Sequence, residues 1–86
     1  MRITYLSHAL QRMDERQISE ETIRAVLEEP DLEYPGKLGR TVAERVFEGR
    51  RLAHKVVYNQ APEDEKIVVT VERGRPTRRT TDEPPS

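Results

Sequence analysis

Residues 41–73 read TVAERVFEGRRLAHKVVYNQAPEDEKIVVTVER, and their period decides the fold. "TVAERVF", "RLAHKVVYN" and "KIVVTVE" are rich in Val, Ile, Tyr and Thr and alternate as half-buried strands do. Glu48-Gly49 supplies the first turn, and the acidic run Ala61 to Glu65 the second. Sequential strands with short loops pair antiparallel, so this half of the chain is a meander. In "KIVVTVE", Ile67, Val69 and Val71 share one face, the expected core face. In "RLAHKVVYN" the faces are ambiguous. Leu52, His54, Val56 and Tyr58 share one side, and Ala53, Lys55 and Val57 the other.

Ahead of the meander the period is helical. Ser7 is the expected cap of a helix from His8 to Arg16, with Ala9, Leu10 and Met13 as its apolar side. Ile18 falls in a link. Ser19 then caps a second helix, with Glu20 and Glu21 in its first turn, where the dipole favours anions. Ile23, Val26 and Leu27 recur at helical spacing, and Pro30 ends the run. "DLEYPGKLGR", residues 31–40, is turn-rich, with a short strand at Leu32 to Tyr34. "RITYL", residues 2–6, is either an edge strand or an extended lead-in. The fold class is therefore α+β, two short N-terminal helices on one face of an antiparallel sheet of three to four strands.

Composition bounds the rest. Eighty-six residues with 34% apolar content, one Phe and no Trp make one small core. The expected domain is 1–73. Residues 74–86, "GRPTRRTTDEPPS", have nothing to bury and are expected to be a disordered tail. No Cys means no disulfide and no thiolate metal site. No stretch approaches the roughly 18 apolar residues that span a bilayer. No signal-peptide run opens the chain, so a cytoplasmic protein without a membrane partner is expected. Net charge is −1 but uneven. Residues 1–48 hold seven Lys/Arg and ten Asp/Glu, and residues 49–86 hold eight and six. Any nucleic-acid role rests on a local patch rather than a global basic excess.

Two groups of residues carry chemistry. His8, Arg12 and Arg16 stand four residues apart along one side of the first helix. A neutral His near free backbone N–H groups can accept a proton, while Arg12 and Arg16 hold a phosphate. The same stripe is equally a solvated, internally paired face, with Arg12 bonded to Glu15. His54 lies on the middle strand beside Tyr58, as a packed residue or as half of a sheet-face site. Lys55 points to the opposite face, so His54 and Lys55 cannot serve one sheet-face site together. Two His without neighbouring ligands make no metal site, and no nucleotide motif is present, so no metal and no cofactor are expected.

"SHALQRMDERQIS", residues 7–19, resembles the opening of a small bacterial family of unknown function, through Ser7, His8, Arg12, Met13, Arg16, Ile18 and Ser19. The second half, with its Lys-Val-Val-Tyr and Ile-Val-Val strands, also resembles the RelE/ParE toxin superfamily. That resemblance implies two helices ahead of an antiparallel sheet. It implies metal-independent RNA cleavage on the ribosome or gyrase inhibition, and a cognate antitoxin as partner. It places Lys55 where those toxins carry a basic strand residue, and Arg73 and Arg75 near their basic C-terminus. No aromatic residue follows Tyr58. Expected catalytic residues are His8, Arg12 and His54, with Arg16, Lys55, Tyr58 and Arg73 contacting RNA or phosphate. The alternative is a non-catalytic interaction module, whose sheet edges pair with a partner strand or with a second copy as a homodimer.

Overall fold

The computed structural model describes residues 1–77. The chain runs β1 (Arg2–Tyr5), α1 (Ser7–Arg16), α2 (Glu20–Glu28), β2 (Leu32–Pro35), β3 (Thr41–Arg45), β4 (Ala53–Ala61) and β5 (Glu65–Gly74). The expected α+β class holds, with both helices on one face of a single sheet.

That sheet has five strands in the order β1-β5-β4-β3-β2. The meander is antiparallel, but β1 pairs parallel to β5, Arg2 opposite Glu65 through Tyr5 opposite Val68. The sheet is therefore mixed and longer by a strand than the three to four antiparallel strands expected. The sequence left residues 2–6 as an edge strand or a lead-in, and the structure makes them the edge strand, paired with a partner some sixty residues downstream. Its ends are fixed by backbone bonds from Arg2 to Asp64 at 3.0 Å and from Leu6 to Val68 at 3.1 Å.

The helix starts differ from one another. Ser19 accepts the Thr22 amide at 3.1 Å and caps α2, as its sequence implies. Ser7 is not the cap of α1. Leu6 holds that position, without a side-chain bond, and Ser7 is already helical. The end of α1 is a left-handed turn at Gln17, φ 54°. Ile18 N–H bonds the Met13 carbonyl at 2.9 Å and Gln17 N–H the Asp14 carbonyl at 3.3 Å. This is the paired closure of a Schellman motif, with Met13 and Ile18 both buried beneath it.

The core lies between helices and sheet. Ala9, Met13, Ile18, Ile23, Val26 and Leu27 meet Ala43, Val56, Tyr58, Val68 and Val71. Three expected core residues, Leu10, Ile67 and Val69, are corrected. Leu10 is 51% exposed, on the outer side of α1. In β5 the buried residues are Val68 and Val71, three apart, not Ile67, Val69 and Val71. Val57 faces Thr70 while Tyr58 faces Val68, so Val69 is an extra residue in β5. This bulge reverses the alternation and lets both valines point at the helices.

The opposite sheet face carries Glu44 on β3 and Lys55 on β4, paired in register. Glu44 is buried there, although charged. Its carboxylate accepts the Tyr34 hydroxyl at 2.8 Å and the Thr77 amide at 2.7 Å, with Lys55 Nζ at 3.9 Å. β5 thus runs one residue beyond the expected domain end, and Thr77, in the expected tail, is hydrogen-bonded to the sheet. The rest of that tail, residues 78–86, lies outside the described residues.

Candidate functional site

Three residues stand side by side across the sheet on its helix-bearing face: Arg45, His54 and Arg73, on β3, β4 and β5. Their row is next to the buried row Ala43, Val56 and Val71, so His54 sits where the core meets solvent. The Arg45 guanidinium turns to α2 and donates to the Ala25 carbonyl at 3.2 Å. It also lies 4.8 Å over the Phe47 ring. Phe47 in turn meets the His54 ring edge-on, centroids 5.3 Å apart and planes at 78°. The imidazole is thereby held in orientation on one side by an aromatic edge.

Arg73 holds it on the other. Its Nε donates to His54 Nε2 at 3.3 Å. Its Nη2 donates to the carbonyls of Arg16 at 2.6 Å and Gln17 at 3.3 Å. These are the last carbonyl of α1 and that of its closing residue, at the negative end of the helix dipole, which suits a cation. The left-handed turn at Gln17 is what closes α1 at this point. Because Nε2 accepts, Nδ1 carries the ring proton, and Nδ1 is buried without a hydrogen-bond partner among the described residues. Burial, followed by the nearby charges of Arg73 and Arg50, depresses the His54 pKa below its ordinary 6.5. His54 is a neutral imidazole at neutral pH.

Around this centre lies a cleft of about 560 Å³, lined by Gln17, Thr22, Phe47, Arg50, Arg51, Leu52, His54 and Arg73. Three of these are arginines and none is a carboxylate. Arg50 and Arg51 reach it from the β3–β4 turn. There the Arg50 amide bonds the Phe47 carbonyl at 3.0 Å and Gly49 takes φ 80°. Among the described residues none of the three arginines has an ion-pair partner. Such a lining attracts an anion, and forked guanidinium groups suit phosphate oxygens.

The expected site residues separate into distinct places. His54 and Arg73 meet in the cleft. His8, Arg12 and Arg16 do not line it. Arg12 donates to His8 Nε2 at 3.4 Å and to Glu15 at 3.0 Å, and Arg16 lies 3.7 Å from the same Glu15 oxygen. The stripe is an exposed network centred on Glu15, whose pKa is lowered by the Gln11 hydrogen bond, Arg12 and Arg16. Arg16 serves the cleft only through its main-chain carbonyl. Lys55 is on the other sheet face with Glu44. Tyr58 is buried, donating to Glu33 at 2.5 Å, with Lys66 Nζ 4.7 Å over its ring. Neither Lys55 nor Tyr58 lines the cleft with His54. Arg50, Arg51, Phe47, Gln17 and Thr22 escape sequence reading. The available signal was the Arg50-Arg51 pair directly after a turn and ahead of the His-bearing strand.

Among the described residues, no three or more His, Asp and Glu side chains gather as metal ligands, and no helix is long and apolar enough to cross a membrane.

Two helices on one face of a mixed sheet, with a cationic cleft beside their link, define a small α+β domain with one histidine in its cleft. The chain belongs to the family described as Domain of unknown function (DUF4258), which matches residues 5–73. That span includes both helices, the meander and every residue lining the cleft. No curated protein and no solved structure matches the chain.

Proposed function

We propose that this protein is a toxin-like, RNA-targeting protein of RelE/ParE type, a metal-independent endoribonuclease whose base is His54. The observation that carries the reading is the neutral His54 imidazole inside a cleft lined by Arg50, Arg51 and Arg73 and by no carboxylate. The helix-helix-meander order supports it as analogy of fold.

In this reading an RNA phosphodiester enters the cleft. His54 Nε2 takes the proton of the 2′-hydroxyl. The 2′-oxygen forms a bond to the adjacent phosphorus, and negative charge accumulates on the non-bridging oxygens. The guanidinium groups lining the cleft stabilise that charge more in the transition state than in the ground state. The P–O5′ bond then breaks with its electron pair going to O5′, which takes a proton from water at the cleft mouth. The imidazolium returns its proton to the hydroxide left behind. The products are a 2′,3′-cyclic phosphate and a 5′-hydroxyl. A ribosome would present the RNA, and a cognate antitoxin would restrain the activity in the cytoplasm.

The test is induced expression in bacteria with growth and total-RNA integrity followed for wild type, His54→Ala and His8→Ala. Growth arrest with cut RNA is expected for wild type and His8→Ala, and its relief for His54→Ala. Intact RNA and normal growth at high levels of folded wild type would overturn the reading. A non-catalytic interaction module is the second reading, favoured by Leu6 and Leu10, 43% and 51% exposed and four residues apart at the start of α1. In that case Leu10→Glu, rather than His54→Ala, abolishes the protein's effect.

A further inference from the structure

The contact between Arg73 and His54 has two properties that do not suit a finished catalytic site. It occupies the only ring nitrogen free to accept a proton, because Nδ1 is buried and protonated. It is also long, 3.3 Å between Nε and Nε2, and it joins a cation to a neutral acceptor. The other partners of Arg73 are two main-chain carbonyls. Among the described residues it has no carboxylate.

We infer that Arg73 is an anion-released cover on His54: a phosphate group bound in the cleft draws the Arg73 guanidinium off Nε2 and so exposes the base. The inference rests on the cleft being an anion site, as the proposed function holds, and adds how that site is regulated. A hydrogen bond from guanidinium to a phosphate oxygen is roughly twice as strong as one to a neutral acceptor. Arg50 and Arg51 line the same cleft, so the anion arrives among three cations and Arg73 exchanges its weakest partner for its strongest. The carbonyl bonds to Arg16 and Gln17 use Nη2, so the planar guanidinium pivots about Nη2 as Nε leaves the ring. The charged groups facing His54 are Arg73 from β5 and Arg50 from the β3–β4 turn, both cationic, with Arg45 on the neighbouring strand committed to α2 and Phe47. Without an anion, nothing among these favours a protonated ring. With one, the exposed Nε2 gains a negative neighbour. The base is thus available only when substrate is present.

The experiment is nitrogen-15 NMR of the full chain titrated with inorganic phosphate, reading the Arg50 and Arg51 amides, the Arg73 Nε–H and the His54 ring nitrogens. The expected result is movement of the two amides together with loss of the Arg73-bonded signature at Nε2. The His54 titration midpoint should rise by about one unit. Arg73→Lys removes Nε–H while keeping the charge, so its His54 Nε2 should lack the Arg73-bonded signature before any phosphate is added. Amides that shift while His54 Nε2 stays unchanged at saturation would overturn the cover and leave the RNA reading standing. Amides that do not shift at millimolar phosphate would overturn both. Movement at His54 in a protein that leaves cellular RNA intact would support the cover and sink the nuclease reading alone.

Discussion

The Glu44 carboxylate accepts the Thr77 main-chain N–H at 2.7 Å, joining β3 to the segment that follows β5. The bond crosses the sheet face opposite the helices and passes over β4, which lies between the two strands. It gives a buried carboxylate the partners it needs. Burial works to raise the Glu44 pKa, but the Thr77 side-chain and main-chain bonds, the Tyr34 hydroxyl and Lys55 outweigh it, and the net shift is downward. Glu44→Gln should cost about 1–3 kcal/mol at neutral pH.

The sign of the pH dependence follows from that shift. A carboxylate with a folded pKa below its ordinary 4.5 contributes stability that is present above 4.5 and is lost as pH falls through the folded value. Urea midpoints of wild type and Glu44→Gln should therefore differ at pH 7 and converge in acid. Parallel curves down to the lowest pH would show that the carboxylate charge plays no part.

His54 contributes in the same pH direction through the opposite chemistry. Its folded pKa lies below 6.5, so between the two values the unfolded chain binds the proton and the folded chain does not. Stability should fall as pH is lowered from 7 to 5, and His54→Ala should remove that part of the slope. Denaturation at the two pH values, for both proteins, measures it. The same variant should lose about 100-fold or more of any RNA cleavage.

The bulge at Val69 makes a paired prediction. Val68 is fully buried and Val69 is only half-buried, so Val68→Ala should cost about 2 kcal/mol and Val69→Ala clearly less. Strict alternation from Val71 ranks the two the other way. Chemical denaturation of the two variants decides between the patterns.

The two serines ahead of the helices should also differ. Ser19→Ala removes a cap that bonds the Thr22 amide and should cost about 1 kcal/mol. Ser7→Ala removes no cap and should stay within about 0.5 kcal/mol of wild type. Equal losses would mean that Ser7 caps α1 in solution.

Gly49 presents Arg50 and Arg51 to the cleft from a turn at φ 80°, where an added Cβ meets nothing within 4 Å. The cost of Gly49→Ala is therefore conformational, about 1–2 kcal/mol. Phosphate affinity should fall with stability, because the turn that aims both arginines is displaced. A stable variant with unchanged phosphate binding would show that the turn tolerates another path.

What the sequence determined by itself is local. The Ser19 cap, the acidic first turn of α2, the stop before Pro30 and the three strands of the meander are written in neighbouring residues, because capping and alternation act within a few positions. Those suffice for the α+β class, and they placed His54 and Lys55 on opposite faces. Tertiary structure alone decided the rest. Arg2–Tyr5 becomes a strand only because β5 offers it an edge. The extra residue at Val69 is expressed only against β4. Glu44 is buried only once Tyr34, Lys55 and Thr77 gather around it. The cleft exists because the end of α1, the β3–β4 turn and two strands converge on His54, residues from 17 to 73 that no short-range pattern connects. A site made of side chains distant in the chain is set by packing and register, and these are properties of the folded whole.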